Sequence, residues 1–146
     1  MLGIGNLLLT DEGVGIHVIK ALEKTDAVQN ALLVDGGTAG LDALYEIGGN
    51  IEKLIVVDAV YGGGPPGAVY KFTPEDVETE EAAFASLHDI SFLDLLKIAE
   101  RTGDRPDRVV FIGVEPSSFD CGMELSEPVK NNFDKIIELV INEINS

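Results

Sequence analysis

The sequence predicts an α/β protein with a five-stranded, mixed but mostly parallel sheet, and three observations predict it. Short β-branched runs alternate with longer stretches of helical period. One run, Leu54-Ile55-Val56-Val57, is apolar throughout, as suits a strand covered on both faces. The chain of 146 residues is 45% hydrophobic and 25% charged, enough apolar material for a core and the length of one domain spanning 1–146.

Strands are expected at 2–5, 31–35, 54–58, 68–72 and 108–114. The first helix is expected over 13–24, with Val14, Val18, Ala21 and Leu22 on one face. His17, Lys20 and Lys24 fall on its flank, where His17 is expected to be exposed and idle. A shorter helix is expected over 40–48. Ser86-x-x-Asp89 resembles a capping box ahead of Phe92, Leu95, Leu96 and Ala99, which follow the i, i+3, i+4, i+7 rule. Ser126-Glu127-Pro128 opens a last helix whose stripe is Val129, Phe133, Ile136, Ile137, Val140 and Ile144.

Residues 61–67, Tyr-Gly-Gly-Gly-Pro-Pro-Gly, form a loop by composition. It is too short for a parallel crossover, so the fourth strand is expected to run antiparallel to the third. Residues 74–87 hold Glu75, Asp76, Glu78, Glu80 and Glu81 with no basic residue, so a weakly ordered surface segment is expected there.

Ten lysine and arginine residues against 26 acidic ones leave a net charge of −16. Such a field repels phosphate and anionic lipid, so neither nucleic acid nor a membrane surface is expected as a partner. No apolar run approaches the roughly 20 residues of a membrane span, and the start lacks a basic signal region, so a cytoplasmic location is expected. A single cysteine, Cys121, excludes an internal disulfide and an all-cysteine zinc site, and acidic neighbours Asp120 and Glu124 make it a poor nucleophile.

Gly3-Ile4-Gly5-Asn6 sits between strand and helix, but the third glycine of a dinucleotide fingerprint is replaced by Leu8, and the seven residues from Asn6 to Glu12 intervene before the helix. Cofactor binding of that kind is not expected, and a phosphate-binding Walker pattern is absent. No G-x-S-x-G elbow accompanies Ser117-Ser118, so a serine triad has no support.

Polar residues instead collect where strands end. Glu12 follows the first strand, Asp35 ends the second, Asp58 ends the third, and His88 opens the helix before the fifth. The carboxyl ends of parallel strands form the ligand crevice of open α/β sheets, so these four can converge. Their mixed oxygen and nitrogen donors suit zinc, nickel or iron(II). Each also has a local explanation: Asp58 capping a turn, Asp35 forming an Asx-turn with Gly36-Gly37, and Glu12 favouring the helix dipole.

The residues match one known family along nearly the whole chain. The match consists of Gly3 through Gly15 (Gly-Ile-Gly-Asn-Leu-Leu-Leu-Thr-Asp-Glu-Gly-Val-Gly), Asp35-Gly36-Gly37-Thr38-Ala39-Gly40, and Val57-Asp58-Ala59-Val60 with Pro66-Gly67-Ala68-Val69. Ser86-Leu87-His88 and Gly113-Val114-Glu115-Pro116 with Glu124-Leu125-Ser126 complete it. The chain resembles the hydrogenase maturation endopeptidases, which trim the C-terminus of the large subunit of nickel-iron hydrogenases.

The resemblance implies a three-layer α/β/α, phosphorylase/hydrolase-like fold. It implies that Glu12, Asp58 and His88 ligate nickel carried by the large-subunit precursor, with Glu12 and Asp58 also catalytic, and that Asp35, Gly36, Gly37 and Thr38 recognise substrate. Either the ion polarises the scissile carbonyl while an acid acts as base, or Glu12 and Asp58 share a proton as in aspartic peptidases. A monomer is expected. A non-cleaving nickel-dependent docking protein for the precursor is the alternative. Only Met1-Leu2 precedes the first glycine motif, so either the first strand is stunted or the start is missing.

Overall fold

The computed structural model describes residues 1–39, 42, 50–79, 97, 100, 101, 103 and 105–146. Five strands form one sheet: β1 (Leu2–Ile4), β2 (Val34–Gly37), β3 (Lys53–Ala59), β4 (Val69–Phe72) and β5 (Arg108–Val114). Their order is β2-β1-β3-β5-β4, with every neighbouring pair parallel except β4 and β5. The α/β class and the mixed sheet are therefore as predicted. The described helices are α1 (Val14–Leu22), α2 (Pro74–Thr79) and α3 (Glu127–Ile144), with short 3-10 turns at Thr10–Gly13 and Asp26–Val28. The helical patterns expected at 40–48 and around 92–99 lie outside the described residues, apart from isolated positions.

Three local expectations are corrected. The second strand lies three residues late, because pairing with β1 carries the Gly36-Gly37 backbone into the sheet while Ala31–Leu33 stays outside it. Asp35 is thus inside the strand and not at its end. The fourth strand does run antiparallel to the third, but β5 lies between them, since β3 and β5 pair over seven register positions and leave β4 the outer edge. Finally, Pro74–Thr79 of the acidic segment is helical, with Thr73 N donating to Asp76 Oδ2 at 2.8 Å; its continuation is outside the described residues.

Apolar side chains sort onto two sheet faces. On one, Ile55, Val57, Val110 and Ile112 pack against Val14, Val18 and Leu22 of α1 and Val129, Ile136 and Val140 of α3. On the other lie Leu2, Ile4, Leu54, Val56, Val109 and Phe111, with the Phe72 and Phe111 rings stacked at 5.2 Å. Strand alternation alone divides β3 and β5 in this way.

The helix α3 carries one polar surprise. Glu143, 4% exposed, forms ion pairs with three strand residues: Lys71 Nζ at 2.5 Å, Arg108 at 3.2 Å and Lys53 at 3.9 Å. Lys53 Nζ also donates to Glu143 O at 2.5 Å, tying the helix end to the amino-terminal edge of the sheet, where cations meet the negative end of the dipole. Burial pushes the Glu143 carboxyl up, but the hydrogen bond and charge of Lys71, with Arg108 and Lys53, outweigh it and hold the group below the usual range.

The topology places the functional edge. After β1 the chain builds β2 on one side and then returns to build β3 on the other. The carboxyl ends of β1 and β3 are therefore a topological switch point, where open α/β sheets bind their ligands.

Candidate active site

Glu12 and Asp58 are the acids at that switch point. Glu12 sits in the 3-10 turn after β1 and is 7% exposed; Asp58 is the second-last residue of β3 and is 5% exposed. Glycines bring their elements together. A Cβ on Gly5, at φ +143°, would stand 1.8 Å from Glu12 O, and one on Gly15 would stand 2.3 Å from Val57 O. Only residues without a Cβ let the Glu12 turn and the start of α1 press onto β1 and β3 this closely. Asp58 Oδ1 accepts from Ala59 N at 2.8 Å, a bond to the next residue of the same strand and not the cap of a turn.

Asp11, beside Glu12, is the residue that sequence reasoning passed over. It is 1% exposed, and its carboxylate accepts four hydrogen bonds. Oδ2 takes Ser117 N (2.8 Å), Ser118 N (3.1 Å) and Ser126 Oγ (2.7 Å), while Oδ1 takes Ser126 N (2.8 Å). Ser126 does stand at the N-cap of α3, yet its hydroxyl serves Asp11 and makes no cap bond.

The backbone repeats the tie. Thr10 N donates to Gly122 O at 2.8 Å, Gly122 N to Leu8 O at 2.9 Å, and Thr10 Oγ1 to Asp120 O at 2.6 Å. These bonds hold Thr10 at φ +51°, a left-handed conformation unfavourable for a β-branched residue. The loop 117–126 is thus a clamp on the turn that carries Glu12.

The Asp-Gly-Gly-Thr segment reaches the same edge through Gly5 N, which donates to Gly37 O at 2.8 Å. Asp35 and Thr38 are exposed, and Asp35 Oδ1 accepts from Gly37 N at 2.9 Å, so the Asx-turn is formed. His88, the nitrogen donor of the expected set, lies outside the described residues. Among those described, no three His, Cys, Asp or Glu side chains gather into a metal-binding group. Exposed Cys121 stays in the clamp loop.

His17 departs from expectation. It is half-buried, with Nε2 enclosed and without a hydrogen-bond partner among the described residues. Burial lowers its pKa, as does Lys20, against a backbone hydrogen bond to Met123 and the charge of Asp11 that raise it. The flank it occupies is covered by the clamp loop, which sequence period cannot reveal.

A hydrogenase maturation protease family model matches residues 16–143. The chain is 35% identical to the hydrogenase expression/formation protein HupD of Thiocapsa roseopersicina over 97% of its length, spanning 65% of that relative. It is 31% identical to the hydrogenase 2 maturation protease of Escherichia coli, covering 97% of this chain and 87% of that one. Among solved structures, the hydrogenase maturating endopeptidase HybD of E. coli superposes with a TM-score of 0.81 at 30% identity, covering 99% and 90% of the two chains. HybD from Thermococcus kodakarensis gives 0.79 at 28%, covering 98% and 96%. The chain belongs to the hydrogenase maturation protease family.

Proposed function

We propose that this protein is an endopeptidase that removes the C-terminal peptide from the nickel-loaded large-subunit precursor of a nickel-iron hydrogenase. The observation that carries the reading is the pair of buried acids, Glu12 and Asp58, at the switch point of the sheet in a chain of this family. Two low-exposure carboxylates on separate elements are suited to handling water and a peptide bond.

The nickel belongs to the substrate. Two carboxylate oxygens from Glu12 and Asp58 fit the mixed donor set such an ion takes, and His88 would add the imidazole. When bound, the ion would supply Lewis-acid polarisation of the scissile carbonyl. The chain's own carboxylates accept the proton of the attacking water and return it to the leaving amine. Asp35, Gly36, Gly37 and Thr38 serve as the recognition strip: the exposed Asp35 and Thr38 offer polar contacts, and the glycines admit a close backbone. A cytoplasmic monomer acting as one domain completes the reading. Among the described residues no helix is long and apolar enough to cross a membrane.

The test is to incubate the protein with precursor, with and without nickel, and follow intact mass. Loss of the C-terminal peptide from the nickel-loaded form alone is expected. Unchanged mass together with a stable complex would instead favour a non-cleaving docking protein.

A further inference from the structure

The glycine loop that follows Asp58 is held by two residues that the catalytic reading leaves unused, the buried Glu115 and the half-buried Tyr70. Val60 N donates to Val114 O at 2.9 Å, after which the chain leaves the sheet at Tyr61. Glu115 follows Val114, the register partner of Ala59, and so lies beside that exit; it is 6% exposed. Its Oε2 accepts from Gly62 N at 2.6 Å and from the Tyr70 hydroxyl at 2.9 Å. The Tyr70 hydroxyl accepts in turn from Gly64 N at 2.8 Å.

The glycines are required by this contact. A Cβ on Gly62 would stand 2.5 Å from Tyr70 Cζ, and one on Gly64 would stand 2.4 Å from the hydroxyl, so the loop backbone lies directly on the ring. The far end is fixed as well: Gly67 N donates to Glu115 O and Glu115 N to Ala68 O, both at 2.8 Å. Tyr61, 49% exposed, meets the Phe119 ring edge-on at 5.5 Å, linking this loop to the clamp that holds the Glu12 turn.

A run of three glycines has more backbone freedom to lose than any other sequence. Burying a carboxylate is a poor way to add stability alone, since apolar residues of similar volume serve as well. A carboxylate committed to a loop amide and a tyrosine hydroxyl does give that loop one definite backbone path. We propose that Glu115 and Tyr70 are positioning residues, holding the Tyr61–Gly64 backbone as one wall of the peptide site beside Asp58 and presenting Tyr61 to the substrate. The inference rests on the endopeptidase reading above.

The experiment pairs hydrogen exchange with steady-state cleavage of the nickel-loaded precursor, at a temperature where each variant is fully folded by circular dichroism. Protected Gly62 and Gly64 amides are expected in the wild type, with faster Gly64 exchange in Tyr70→Phe. That variant is expected to raise KM about tenfold and leave kcat within about twofold, the pattern of lost substrate binding. Glu115→Gln keeps an acceptor oxygen and is expected to retain near-wild-type KM, whereas Glu115→Leu is not. Wild-type KM in Tyr70→Phe despite faster Gly64 exchange would reduce the pair to a structural role, and unprotected wild-type amides would refute the geometry. A wild type that leaves the precursor whole while both amides are protected would overturn the endopeptidase reading itself.

Discussion

Replacing Asp11 by asparagine is expected to loosen the corner that holds Glu12 while the sheet stays folded. The carboxylate accepts three bonds at Oδ2 and one at Oδ1, all from donors, so an amide NH2 at either position faces a donor. The better orientation keeps the oxygen toward Ser117, Ser118 and Ser126 Oγ, loses the Ser126 N bond, and leaves the other three without a charged acceptor. A hydrogen bond to a charged group contributes about 1.5–3 kcal/mol and a neutral one about 1 kcal/mol. One loss of at least about 1.5 kcal/mol and three weakenings of at least about 0.5 kcal/mol each place the cost at about 3 kcal/mol or more, a large share of the roughly 5–15 kcal/mol that holds a domain. Urea unfolding with hydrogen exchange at the Ser117, Ser118 and Ser126 amides measures it. An unchanged midpoint with all three amides still protected would refute the clamp.

Val56→Ala, at a site 1% exposed in β3, is expected to lose about 1–3 kcal/mol in a chemical melt, and no loss would contradict its core position. His17 is held below its ordinary pKa by burial and Lys20, so the unfolded chain binds more protons and stability falls as pH drops below about 6.5. His17→Leu is expected to flatten that slope, and its persistence would remove His17 as the source. Glu143 is shifted in the same direction: its folded pKa is depressed, so its contribution is present above about pH 4.3 and is lost as pH falls through the folded value. Melts of Glu143→Gln should show lower stability at neutral pH and a shallower decline in acid; equal curves would contradict the cation cluster. In a nickel titration, His88→Ala is expected to abolish binding seen with the wild type, and retained affinity would exclude that imidazole as a ligand.

Much of the sheet was legible because hydrophobic period reports burial directly: β3 and β5 appear in sequence nearly as they stand. What pattern could not supply was partnership. Gly36-Gly37 has low strand propensity and enters β2 only because β1 offers it a ladder. Loop length fixed the direction of β4 and was silent on its neighbour. Glu12 and Asp58 were legible from their strand-end positions, since the switch-point rule applies before any side chain is seen. Asp11 was not, because its partners stand more than a hundred residues away in sequence. Glu143 reads as an exposed acid on a helix, and only the assembled ends of β3, β4 and β5 supply the cations that allow its burial. Tyr70 carried no local signal either, since it alternates within an edge strand, and Glu115 stood in the Gly113–Pro116 motif with no role that its spacing could assign.

The central claim is that Glu12 and Asp58 perform the cleavage, and the most direct measurement is the intact mass of nickel-loaded precursor incubated with the wild type, Glu12→Gln or Asp58→Asn. Each substitution keeps the side chain's size and removes its charge, so each variant should remain folded by circular dichroism. The account predicts loss of the C-terminal peptide with the wild type and an unprocessed precursor with both folded variants. Processing by either variant at the wild-type rate would contradict it.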